Sequence, residues 1–358
     1  MIDLDDPAAV AAADPSGILP AILGLGEQCR RGYEIGRSHE PLPDGSGVGS
    51  IVLCGMGGSG IGGDVIHALY RDRLRIPIDV VKDVAIPEHC SPSSLVVCSS
   101  FSGNTTETLG CFAQALDRGC RLVAVCSGGE LLARAESAGV PVLVIPGDPP
   151  APRTALGSLL LSTLGAMEAM GVVPVLAEEV ESAAALLDRT AASVAPGTPE
   201  DRNDAKQLAR AIGDRMPVIW GAEGVGSVAA ARWRAEFQEN AKTPAFSASF
   251  PELDHNEIVP WGEGWGEARD RFTLIVLRHE SEHPELAARI RDSAAIASEG
   301  GLEALEVRAE GDSPLAGELS LVLLGGAASV YLALLRGLDP APIRAIERLK
   351  RERAERPA

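Results

Sequence analysis

Seven cysteines at 29, 54, 90, 98, 111, 120 and 126 form no C-x-x-C pair, which removes zinc-ribbon and thioredoxin-type chemistry at once. An odd number of thiols without metal spacing reads as reduced, mostly buried cysteine in a cytosolic chain. The six histidines have no ligand spacing with one another either, so neither a metal nor any other cofactor is expected. G-K-[ST] is missing throughout, and with it the P-loop. Positive charge is scarce: 32 Lys and Arg face 50 Asp and Glu, a net charge of −18. That argues against nucleic acid and anionic membranes as partners, and obliges any anion site to build its own local positive potential. The N-terminus, MIDLDDPAA, is acidic and carries no apolar h-region of a signal peptide. Long hydrophobic runs are also lacking, apart from the uncharged stretch Leu319–Leu335. Its 17 residues fall short of a membrane span, and Gly325-Gly326 suggests a split into a strand, 319–324, and a helix, 327–336.

What is present is a large apolar fraction, 46%, in a chain of 358 residues, enough for a substantial core and for two domains. After helical segments over 7–36, with Pro15 and Gly17 as an early break, strands and helices alternate. Strands are expected at 51–54, 76–81, 95–98, 121–125 and 141–145, and helices at 61–71, 106–118, 129–138 and 155–171. The strands are apolar without polar alternation, the mark of a parallel sheet covered on both faces. A looser repetition follows: helices at 178–194, 204–213, 227–241, 284–297 and 341–355, strands at 217–220, 272–277 and 303–307, and a loop over 242–262. The fold class is therefore α/β, with two doubly wound parallel sheets divided near residue 174: domain one at 1–174, domain two at 175–358.

Two loops carry the first chemical signal. Strand Leu95–Cys98 runs into SSFSGNTTET, Ser99–Thr108, a cluster of hydroxyls and amides at a strand's carboxyl end. Strand Ile51–Cys54 runs into GMGGSGIGGD, Gly55–Asp64. Such loops, each opening a helix, suit a phosphate or another small anion. GMGGSG also spells G-x-G-x-x-G, but Asp83 sits only loosely where a dinucleotide site wants its acid, and the neighbouring hydroxyls suit a terminal phosphate better. A tight turn with no ligand is the remaining alternative. The second signal is ENAKTPAFSASFPELDHNE, from Glu239 to Glu257. Glu239 falls near the end of a helix, where the macrodipole disfavours an anion and a carboxylate is suited to accept a proton. An exposed helix-end glutamate is the plainer reading. His255 stands between Asp254 and Asn256, which could fix its tautomer, although a lone loop histidine is more often a surface residue.

GMGGSGIGGD, SFSGNTTETL, the PR of PPAPRTAL, ENAKTPAF, PELDHNEIV and LDPAPIRAIERLK resemble, in that order, the bifunctional phosphoglucose/phosphomannose isomerases of the sugar isomerase (SIS) superfamily. The resemblance implies two SIS domains, a homodimer, a phosphorylated hexose as substrate, and metal-free aldose–ketose isomerisation through a cis-enediol. By position it implies a phosphate cradle of Gly58, Ser59, Ser100, Ser102 and Thr105. It makes Glu239 the base, Arg153 the group that stabilises enediolate charge, and Lys350 with His255 the ring-opening pair, His255 coming from the partner subunit. One departure is Ala341, where the family often has threonine, which bears on the choice between glucose and mannose epimers. A non-catalytic phosphosugar sensor would carry a basic helix-turn-helix, and none is visible. An isomerase of another phosphosugar is the further alternative.

Overall fold

Ser50–Cys54 and Ser94–Ser100 are buried along their whole length, as strands covered by helices on both faces must be. They form the centre of the first sheet in a computed structural model that describes residues 2–263, 268–302 and 304–354. Three helices come first: α1 (Pro7–Ala13), α2 (Ile18–Leu23) and α3 (Leu25–Arg37). Asp6 caps α1 by accepting from the Ala8 amide, and the buried Asp14 accepts from the Ile18 and Leu19 amides that open α2. The first α/β unit then runs β1 (Ser50–Cys54), α4 (Gly57–Tyr70), β2 (Ile78–Val81), β3 (Ser94–Ser100), α5 (Thr106–Asp117), β4 (Arg121–Cys126), α6 (Gly129–Ala138), β5 (Val142–Val144) and α7 (Leu156–Ala169).

Its sheet is parallel, in the order β2-β1-β3-β4-β5. The chain leaves β1 toward β2 on one side and returns to β3 on the other. The crevice beyond the carboxyl ends of β1 and β3 is thus a topological switch point, where doubly wound sheets bind ligands. Both anion-suited loops open into it.

The second unit contains α8 (Ala177–Ser193), α9 (Asp204–Ile212), β6 (Met216–Ala222), α10 (Val225–Glu239), β7 (Phe246–Phe250), α11 (Ile258–Gly262), α12 (Ala268–Arg271), β8 (Phe272–Arg278), α13 (Pro284–Glu299), β9 (Ala304–Arg308), α14 (Pro314–Leu335) and α15 (Arg344–Ala354). Its parallel sheet has the order β7-β6-β8-β9. The expected strand at 303–307 begins at Ala304; Glu303, like the end of the expected terminal helix at 355, lies outside the described residues.

Three expectations need correction. Residues 319–324 are not a strand: α14 is one continuous, almost wholly buried helix through Gly325-Gly326. Those glycines serve close packing. A Cβ on Gly325 would lie 2.2 Å from Trp233 Nε1, and that indole donates to the Leu321 carbonyl at 2.7 Å. The segment 242–262 is not all loop, since Phe246–Phe250 forms the half-exposed edge strand of the second sheet. The glycine-rich turn is also shorter than expected, because α4 already begins at Gly57. The largest core cluster joins α14 and α10 to α3, α4 and α7, so the two units share one interior.

Candidate active site

The two loops at the switch point are tied to each other. The Phe101 amide donates to Ser59 Oγ at 3.0 Å, leaving the serine proton free to donate elsewhere. Ser59 is buried and Gly58 half-buried, both in the first turn of α4, where the Ser59 amide already donates to the Met56 carbonyl at 3.0 Å. Ser100 ends β3, and its hydroxyl pairs with Thr105 Oγ1 at 2.9 Å. Thr105 is the N-cap of α5 yet makes no side-chain capping bond. Its helix therefore presents first-turn amides that its own side chain does not fill. Ser102 is exposed, and its Oγ accepts from the Asn104 amide at 3.3 Å. Asn104 Oδ1 in turn accepts from the Glu130 amide of α6, tying the loop to the helix that follows β4. Gly103 has φ of 67°, and a Cβ there would stand 1.8 Å from the Gly128 carbonyl, so no other residue fits this turn.

Arg153 lies on a short 3-10 turn after β5 and packs directly on the first loop. A Cβ on Gly58 would be 2.9 Å from the Pro152 carbonyl and 3.0 Å from Arg153 Cα. Only 3% of Arg153 is exposed. Its guanidinium crosses to the second unit, where Nε donates to Asn240 Oδ1 at 2.7 Å. Nη2 donates to the carbonyls of Pro340 and Ala341 at 3.0 and 3.2 Å. Nη1 faces Glu239 Oε2 at 3.3 Å. Glu239 is the last residue of α10, as expected, and its carboxylate remains partly open to solvent. Base candidate and cation candidate are thus adjacent, although 86 residues separate them in sequence.

Several residues that hold this pair were not singled out from the sequence. Asn240 Nδ2 donates to Glu236 Oε2 at 2.6 Å and to Ser329 Oγ at 2.9 Å, which orients its amide oxygen toward Arg153. Glu236 is fully buried and paired with Arg232. Burial pushes its carboxyl above the usual range while Arg232 and Arg153 pull it back. Arg232 also donates to the Arg153 carbonyl. Lys242 Nζ reaches four backbone carbonyls. Asn240 and Lys242 both stand inside the ENAKTPAF run, so the signal was present without a role attached to it.

His255 and Lys350 are placed differently. His255 closes a 3-10 turn, Glu252–His255, and is exposed. Its neighbours do not hold it: Asp254 accepts from Ser293 Oγ at 2.7 Å, and the Asn256 amide engages Glu252 and the Glu257 N–H. The expected tautomer-fixing arrangement is therefore corrected. Lys350 is exposed on α15. That helix reaches the hydroxyl loop through a loose contact of Arg353 with Glu107, in the first turn of α5, at 3.8 Å.

A curated relative from Caldicellulosiruptor bescii, named bifunctional phosphoglucose/phosphomannose isomerase, is 33% identical over 94% of this chain and 98% of its own length. The chain belongs to that family. A namesake from Aquifex aeolicus is 34% identical over 84% of this chain and 89% of its own. Residues 201–352 match the family model described as the bacterial phospho-glucose isomerase C-terminal SIS domain. Among solved structures, tagatose-6-phosphate ketose/aldose isomerase from Escherichia coli superimposes with a TM-score of 0.71 at 16% identity, covering 94% of this chain and 96% of that one. A hypothetical protein from Thermus thermophilus, TT0462, gives 0.73 at 18% identity, covering 98% and 95%. At such identities the superpositions establish the fold alone. They agree with the two parallel sheets described here, and the family is the one that the sequence motifs resemble.

Proposed function

We propose that the protein is an aldose–ketose isomerase interconverting glucose 6-phosphate, mannose 6-phosphate or both with fructose 6-phosphate through a cis-enediol. The observation that carries this reading is the Glu239–Arg153 pair, set beside two hydroxyl-lined loops at a switch point. In this reading the hydroxyls of Ser59, Ser100, Ser102 and Thr105, with the amide of Gly58, hold the phosphate. Glu239 takes the proton from C2 of the aldose and returns it to C1. The charge that then develops on the enediolate oxygen meets Arg153, whose fixed position removes the need for reorganisation. A preorganised cation of this kind contributes about 3–4 kcal/mol to the transition state. The phosphate grip and Arg153 come from the first unit and Glu239 from the second, so the sugar is oriented from both ends. His255 and Lys350 open the ring, with His255 supplied by the second copy of a homodimer. An exposed histidine on a surface turn supports that part. A cytoplasmic location and a division at residues 174 and 175 belong to the same reading, the latter supported by the turn between α7 and α8.

A relative named D-glucosamine-6-phosphate 4-epimerase, from Sulfolobus acidocaldarius, is 27% identical over 70% of this chain, which keeps another phosphosugar as a second reading. The deciding experiment is a coupled assay of the purified protein with glucose 6-phosphate, mannose 6-phosphate and glucosamine 6-phosphate separately. Turnover of at least one of the first two, unchanged by EDTA, is expected. Turnover of the amino sugar alone, or a rate abolished by EDTA, contradicts the reading.

A further inference from the structure

Lys242 has a φ of 52°, the one positive value outside glycine among the described residues. A side chain with a Cβ is disfavoured in the left-handed region, which glycine and asparagine normally fill just past a helix end. Lys242 stands three residues beyond the last residue of α10, where either would be easier to accommodate. Its ammonium explains the choice. Nζ donates to the carbonyls of Glu239 at 2.9 Å and Asn240 at 3.2 Å, both at the end of α10. It also donates to those of Asp339 at 2.9 Å and Pro340 at 2.7 Å, in the segment before α15. Three protons are thus shared among four acceptors. The Pro340 carbonyl also accepts from Arg153 Nη2, as does that of Ala341. One cation therefore joins the helix end that carries Glu239 to the segment that carries the acceptors of Arg153.

We propose that Lys242 is a positioning residue, clamping the Asp339–Ala341 segment onto the C-terminus of α10 and so fixing the separation of Arg153 and Glu239. The proposal rests on the reading of that pair as charge stabiliser and base. The groups facing the ammonium fit this role. Partial burial and then Arg153 pull the ammonium's pKa down, with Asp339 and Glu239 opposing; its four bonds all go to backbone carbonyls, so the clamp is held by hydrogen-bond geometry. A mere surface cap would make a different prediction, because its removal would only relieve a strained backbone turn.

The variants Lys242→Gly and Lys242→Asn both tolerate the left-handed turn, so they remove the ammonium without forcing the backbone. The clamp predicts a kcat for fructose 6-phosphate lowered about 10–100-fold, as small misplacements of reacting groups produce. KM should stay within about threefold, since the phosphate cradle is elsewhere, and the melting temperature should not fall. A kcat within about twofold of wild type overturns the proposal, as does a kcat that falls only together with melting temperature. Crystal structures give an arm independent of activity. In Lys242→Gly the Asp339–Ala341 segment should shift away from α10, and Arg153 should lose a carbonyl acceptor; a variant that superimposes on wild type overturns the clamp. A wild-type protein without isomerase activity would count against the isomerase reading instead, and the crystallographic comparison would still decide the clamp.

Discussion

At the scale of single residues, Arg153 shows how fully a buried cation can be specified. Its Nε–H goes to Asn240 and its two Nη2 protons to Pro340 and Ala341, so only Nη1 is left to face Glu239. A lysine, a point charge on a flexible stem, could not divide its donors in this planar way. Glu318 poses the opposite case. It is fully buried on α14, and neither carboxyl oxygen has a hydrogen-bond partner among the described residues. Burial, with Asp64 of α4 acting in the same direction and Arg232 of α10 opposing, holds its carboxyl well above the usual range. The folded state therefore keeps a proton that the unfolded chain loses above its ordinary value of 4.5. Stability falls as pH rises past that value and continues to fall until the folded carboxyl ionises. Replacing Glu318 by glutamine removes this loss. Melting curves of wild type and Glu318→Gln should nearly coincide below the ordinary carboxyl range and separate as pH rises toward neutral, the variant being more stable. Parallel curves across that window would contradict the account.

At the scale of elements, what the sequence disclosed depended on burial. Apolar strands such as Ile51–Cys54 and Leu95–Cys98 were legible because the pattern follows directly from being covered on both faces. The edge strand Phe246–Phe250 was not. It is half-exposed, holds only Ser-Ala-Ser between its two phenylalanines, and is flanked by Pro244 and Pro251, all of which suggest a loop. The misreading of α14 has a different cause. A glycine pair in an apolar run signals a break on local grounds, whereas here the Trp233 indole lies against Gly325 and Ile22 against Gly326. Nothing local records that long-range contact. The same holds for the site. Loop composition marked the two loops of the proposed phosphate cradle and the helix end marked Glu239, but Arg153, Asn240 and Lys242 meet only through tertiary structure. Lys242 in particular was hidden because a positive φ leaves no trace in residue type when lysine occupies it.

At the scale of the whole molecule, the chain brings a cation from one unit and a carboxylate from the other into contact where the two units share a core. Arg153 follows the first sheet and Glu239 ends a helix of the second unit. The net charge of −18 makes a locally positive pocket necessary if an anionic sugar is to approach. In the proposed site Arg153, helix N-termini and hydroxyl donors supply that potential together. The proposed function has a second copy complete the site through His255, and a mixing experiment tests this. Each of Glu239→Gln and His255→Ala should be nearly inactive alone. An equimolar mixture allowed to exchange subunits should recover about a quarter of wild-type activity, because half of the dimers then hold one intact site. No recovery would place the histidine in its own chain's site. The most direct measurement of the central claim is Glu239→Gln by itself, followed in parallel by turnover and by calorimetric binding of fructose 6-phosphate. If one carboxylate moves the proton between adjacent carbons, kcat falls about 10²–10⁴-fold while affinity stays near that of wild type. Turnover within about tenfold of wild type at unchanged affinity would show that another group is the base.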